Sequence, residues 1–270
     1  MSRRRRALWA ALAASVLVVA CQTVQTTRGG QVGVEREQRM LVSARQVDAA
    51  AREQYAAVLK DAGDKGRLNR DTAQAQRVRR IAQRLIAHTA VFREDALGWK
   101  WEVNVIASDE INAWCMPGGK IAVYSGLIDK LALTDAELAA VIGHEIAHAL
   151  REHARERMSR ALPVAIGAQV VGVLAGESAA DIAGMFGQAF FVLPNSRENE
   201  QESDRIGVEL AARAGFDPRA ALSLWNKMAA QDGGAKIEWL STHPAHETRI
   251  RDLKDYSQRV MPLYEKARGG

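Results

Sequence analysis

The stretch VIGHEIAHAL carries two histidines four residues apart, with a glutamate directly after the first. On a helix, His144 and His148 lie one above the other and can share one metal ion. Glu145 is placed so that its carboxylate reaches a water on that metal rather than the metal itself. Zinc suits this set, because it lowers the pKa of a bound water from about 15.7 to about 7, and a nearby carboxylate can then take the proton. The same string also fits a buried helix with two satisfied imidazoles, so the rest of the chain has to supply a third ligand.

A histidine six residues after His148 would complete one variant of the motif, but Ala154 stands there. His153 is five residues on, which turns it away from the ligand face of a continuous helix. It reads as a solvated neighbour of Arg155 and Glu156. The remaining source is the acidic run SRENEQESDRIG, with Glu198, Glu200, Glu202 and Asp204 as candidates. Glu200 and Asp204 are four apart on one face. Such a pair suits one ligand and one acid that holds a ligand histidine in its tautomer.

The elements that must position these groups can be read from periodicity and caps. The motif helix starts at a capping box, Thr134 with Glu137, and is expected to run to about Met158. Before it, WKWEVNVIAS alternates as a strand, and INAWCMPGGKIAVYSGLI reads as a hairpin turning at Pro117-Gly118-Gly119. Two amphipathic helices are expected earlier, over about 35–60 and 71–92, with His88 an ordinary surface or packing histidine. Later helices are expected from Asn195 or Ser196 to Gly215, from Asp217-Pro218, and from Pro244 toward Tyr264. The apolar residues 161–194 read as a buried helical connection near the site, since Pro163, the glycines, Glu177 and Asp181 argue against a membrane span. Such a connection would be able to cover the cleft. Trp99, Trp101 and Trp114 are candidates for an apolar subsite, although core packing is the better reading of each.

The N-terminus reads as a targeting segment. Arg3 to Arg6 precede an apolar run from Ala7 to Ala20, and VVAC resembles a lipobox with Cys21 as the lipidated residue. The expected organisation is a lipoprotein signal peptide over 1–20, a polar tether over 21–35 and one catalytic domain over 36–265. The net charge of +5 loses four arginines with that segment, leaving about +1, so the basic pI gives no argument for nucleic-acid binding. With Cys21 lipidated, Cys115 has no partner for an intramolecular disulfide.

GHEIAHALREH, SRENEQESDRIG, AGFDP and STHPAHETRI, in that order, resemble the HtpX/BepA/CAAX-endopeptidase-like zinc metallopeptidases, over about residues 36–255. The resemblance implies an α+β, mostly helical, zincin-like domain with a small β-sheet beside the metal-binding helix. It implies one Zn2+ held by His144, His148 and Glu200, with Glu145 as general base and Asp204 behind the ligands. It places His243 near the metal, either stabilising the tetrahedral intermediate or occupying zinc at rest, and makes Arg249 a supporting residue. Asn112 and Ala113 fall at the edge strand where a peptide substrate is expected. The family's transmembrane segments and C-terminal helical repeats have no counterpart in this sequence. The function implied is an endopeptidase of the bacterial cell envelope. It would be lipid-anchored at Cys21, on the periplasmic face and at the outer membrane, and would act on unfolded or misassembled envelope proteins. The alternative is a zinc-stabilised assembly factor for outer-membrane proteins that rarely cuts.

Overall fold

The computed structural model describes residues 22–168, 179–231 and 237–269. A three-stranded sheet is built from β3 (Glu102–Ile106), β4 (Ala113–Met116) and β5 (Lys120–Tyr124). The order is β3-β5-β4, with β3 parallel and β4 antiparallel to β5. The hairpin expected from Pro117-Gly118-Gly119 therefore forms. Gly118 and Gly119 both adopt positive φ (76° and 79°), which side-chain-bearing residues rarely reach. β4 is left on the sheet edge, with Asn112 immediately before it.

Helices α1 (Ala44–Asp64) and α2 (Thr72–Ile86) precede the sheet, each starting at a side-chain cap, Ser43 and Asp71. A short helix, α3 (Ser125–Lys130), leads into the motif helix α4 (Asp135–Leu150). The Thr134–Glu137 capping box is made in both directions. The one long helix expected to Met158 is instead two. Glu152 adopts φ 51°, and α5 (His153–Ala168) starts afresh. A left-handed residue other than glycine is costly, and Glu152 is held there by ion pairs to Arg93 and Arg155.

α6 (Ala179–Phe191) is the described part of the apolar connection; residues 169–178 lie outside the described residues. α7 (Arg197–Arg213) is capped by Ser196, as one of the two expected caps. α8 (Ala220–Ala230) begins two residues after Pro218. A short turn of helix, α9 (Glu238–Thr242), precedes α10 (Glu247–Arg259) and α11 (Met261–Gly269), where one helix was expected. No helix among the described residues is long and apolar enough to cross a membrane.

The main core packs α2, one face of the sheet, α4, α7 and α8. A second apolar cluster joins α1, Trp114, Met116, the start of α5 and α6. α4 and α7 meet backbone to backbone. A Cβ on Gly143 would lie 2.9 Å from the Gly207 carbonyl oxygen, and one on Gly207 only 2.8 Å from the His144 nitrogen. This seam sets the first turns of α7 opposite the two motif histidines.

The segment expected as a tether is part of this body. β1 (Gln22–Val24) pairs antiparallel with β2 (Gln38–Met40), and Thr27, Val32 and Val34 are buried. Residues 1–20 and Cys21 lie outside the described residues.

Candidate metal centre

The chemistry converges where α4, α7 and α9 meet. One donor atom from each of His144, His148, Glu200 and His243 lies within 4.8 Å of the others, and all four residues are buried. The His144 and His148 Nε2 atoms are 2.9 Å apart, and each is 3.4 Å from a Glu200 oxygen.

The outer nitrogens of both rings are engaged. The His144 Nδ1 proton goes to Asp204 Oδ1 at 2.9 Å. The Asp204 carboxylate is gripped by Arg249, whose Nε and Nη2 donate to its two oxygens at 2.7 and 2.8 Å. Arg249 is almost fully buried and also sets Nη1 2.7 Å from Glu200. His148 Nδ1 donates to His153 Nδ1 at 2.8 Å, and His153 Nε2 donates to Glu202 Oε2 at 3.1 Å. With both rings neutral, as a bound cation requires, this direction of donation turns both Nε2 lone pairs toward one another.

His153 is thus completely buried and bonded to a motif histidine, not a solvated neighbour of Arg155 and Glu156. The break at Glu152 rotates it back toward the site, which the assumption of a continuous helix did not allow. Glu202 anchors this second line. It accepts from Arg151 Nε at 3.0 Å and Arg36 Nε at 2.6 Å. Arg36 also reaches Glu156, and Gln38 donates to both Glu156 and the Arg151 carbonyl. The N-terminal segment is therefore wired into the site's outer support.

These residues fit a cation. Both Glu200 oxygens are buried without a hydrogen-bond partner; Arg249 approaches one at ion-pair distance but without hydrogen-bond geometry. Facing lone pairs and an unsatisfied carboxylate repel unless positive charge lies between them. Without a cation, a proton on His144 supplies that charge, and a metal ion would take its place. Burial opposes charging His144, yet Asp204 and Glu200 outweigh it and lift its pKa to about 9. Burial holds His148 well below the usual imidazole range, and lowers His243 to about 3 against the pull of Glu200. Both are neutral donors at neutral pH. Imidazole, imidazole and carboxylate are a donor set that zinc accepts readily.

Trp239, which the sequence reading passed over, organises the other side. Its indole N–H donates to Glu145 Oε1 at 2.7 Å. Its ring stacks on His243 at 4.6 Å and 11°, and its carbonyl oxygen lies 3.0 Å from His243 Nδ1. Its position four residues before His243 was the available signal. Burial pushes the Glu145 pKa up to about 7, against the opposing influence of His144 and the Trp239 bond.

The site opens into a cavity of about 250 Å³ beside the β4 edge. Asn112, Ala113 and Trp114 form one wall; Phe190 and Phe191 of α6 form another, edge-on to Trp114 at 6.1 Å. Glu145, His148, Arg157, Asn195 and His243 supply polar lining near the metal centre, and Glu110, Glu238, Ser241 and Thr242 supply the rest. Trp99 and Trp101 stack on each other and do not line this cavity.

A helix bearing H-E-x-x-H, a glutamate from α7 packed against it and a cleft along a sheet edge define a metallopeptidase-type centre. The chain belongs to peptidase family M48, whose model matches residues 72–257. It is 37% identical over 175 residues to the mitochondrial metalloendopeptidase OMA1 of Arabidopsis thaliana, covering 64% of this chain and 35% of that protein. The OMA1 of Schizosaccharomyces pombe is 35% identical over 185 residues, covering 66% and 52%. The beta-barrel assembly-enhancing protease of Escherichia coli is 28% identical over 204 residues, covering 72% and 41%. The chain thus spans about a third to a half of the length of these curated relatives.

Proposed function

We propose that this chain is a zinc-dependent endopeptidase that hydrolyses peptide bonds of unfolded or misassembled proteins in the bacterial cell envelope. The observation that carries the hydrolytic reading is the pair of Nε2 atoms facing each other and Glu200, with Glu145 buried beside them at the end of an open cleft.

His144, His148 and Glu200 hold the metal. Bound there, zinc would polarise a substrate carbonyl and acidify a water for attack. Glu145 takes the proton of the attacking water. With one oxygen fixed by Trp239, its other oxygen is free to carry that proton to the leaving amine. A pKa near 7 suits both transfers at neutral pH. His243 stands close enough to act as a fourth donor, so substrate entry displaces it. Asp204 and His153 keep both Nδ1 atoms occupied, which holds the rings in one tautomer. The substrate lies extended along the β4 edge near Asn112 and Ala113, adding a strand to the sheet.

The relatives' names, metalloendopeptidase and assembly-enhancing protease, support this reaction and an envelope setting. The arginine-led apolar segment before Cys21 supports export and lipid anchoring at the periplasmic face of the outer membrane.

Zinc-loaded protein is expected to degrade unfolded casein, and Glu145→Gln to abolish cleavage while retaining zinc. If Glu145→Gln also restores the phenotype of a deletion strain, the protein acts as an assembly factor and not chiefly as a protease.

A further inference from the structure

Arg157 is a buried cation of the cleft wall whose role neither the metal nor the fold explains. It lies on α5, is only 9% exposed, and lines the cavity together with Glu145 and His148. Its Nε donates to the Ala189 carbonyl at the end of α6, which fixes the guanidinium in place. Nη1 is buried with no hydrogen-bond partner among the described residues. No carboxylate among them forms an ion pair with it. Glu200, Glu145 and Glu156 attract it without pairing with it: Glu200 faces the histidines and Arg249, Glu145 is bonded to Trp239, and Glu156 to Arg36, Gln38 and Arg160.

Leaving a fixed guanidinium in a nearly dry wall is expensive, and its charge is best compensated by an ionised acceptor. The walls around it are Trp114, Phe190 and Phe191, which lower the local dielectric and strengthen any such pair. A second residue of the cavity lining also carries an unpartnered atom. Asn195 donates through Nδ2 to the Thr242 carbonyl, which leaves the buried Oδ1 free to accept. A fixed donor carrying full charge and a fixed neutral acceptor therefore line one cleft. They match a carboxylate side chain and a main-chain N–H of the same peptide.

We propose that Arg157 is a specificity-determining residue that binds an acidic side chain of the substrate close to the scissile bond, with Asn195 Oδ1 accepting a substrate main-chain N–H. This rests on the peptidase reading and deepens it to a substrate class: extended polypeptides with an aspartate or glutamate near the cleavage point.

The test uses fluorogenic peptide pairs that differ only by Glu or Gln, with the variable residue scanned across the cleavage site. The wild-type zinc protein is expected to favour the Glu member at one position by about tenfold in kcat/KM, as a charge-assisted hydrogen bond implies. In Arg157→Met that ratio falls to within about twofold of one, and Arg157→Lys keeps an intermediate preference. Melting curves of both variants report whether each is folded; should Arg157→Met fail to fold, the Arg157→Lys ratio decides. Fluorescence anisotropy on zinc-loaded Glu145→Gln, with and without Arg157→Lys, reads the same preference as binding. Equal rates for both members at every position overturn the proposal. So does an Arg157 variant that slows both members alike and leaves the ratio unchanged. A wild-type protein that binds the Glu peptide preferentially yet cleaves neither overturns the peptidase reading while sustaining the subsite.

Discussion

The two motif histidines are held by outer supports of different construction. Behind His144 stands a carboxylate clasped by an arginine: Asp204 from α7 and Arg249 from α10, joined by two short hydrogen bonds. Behind His148 stands another imidazole, and only beyond it comes a carboxylate, Glu202, shared by Arg151 and Arg36. Both arrangements fix an Nδ1 proton and bare an Nε2. The first is compact and charge-assisted; the second is a relay that reaches the N-terminal segment. Removing a member should therefore do most harm where charge is buried most tightly, and least where the relay meets solvent.

Asp204→Ala should have the largest effect. It strips a fully buried Arg249 of its bidentate partner, at about 3–5 kcal/mol of stability, and should weaken zinc binding by about 10–100-fold. Urea unfolding and chelator competition measure the two losses. His153→Ala comes next. It leaves the His148 Nδ1 proton unpaired at about 1–3 kcal/mol, with roughly tenfold weaker zinc binding. If His153→Ala equals or exceeds Asp204→Ala in zinc affinity, the ranking of the two supports is reversed.

Arg36→Ala should cost about 1–2 kcal/mol, because this side chain keeps 30% of its surface in water, and should change zinc affinity less than about threefold. Acid titration gives the smallest effect at neutral pH and a clear sign below it. Burial opposes ionisation of Glu156, yet Arg36 and Gln38 hold its pKa down to about 2 from an ordinary 4.5. The unfolded chain takes up that proton first. The stabilisation is thus complete above about pH 4.5 and lost as pH falls toward 2. Melting temperature should drop through that window, and less steeply in Glu156→Gln.

The first support was legible in the sequence and the second was not, for a physical reason. His144, His148, Glu200 and Asp204 sit on uninterrupted helices, where a spacing of four means a shared face. His153 follows a left-handed Glu152 that no glycine or proline announces, so counting residues along one helix sent it to the wrong side. The hairpin, the Thr134 cap and the Ser196 cap are local, and they appeared where their residues predict. The segment 22–34 has the composition of a linker. What orders it lies more than a hundred residues away, as in the Val32 amide bonded to Glu209. Nothing in the spacing singles out Arg157, because only packing against α6 shows that it is buried.

The stitched-in N-terminal segment has a mechanical consequence. Arg36, Glu202, His153 and His148 form an unbroken chain of bonds from a short peripheral ribbon to a ring of the candidate metal centre. Linkage is reciprocal: whatever metal gains from the docked ribbon, the ribbon gains from metal. A pull that peels residues 22–40 from the body would therefore loosen the grip on the ion, and a loaded site would resist that pull.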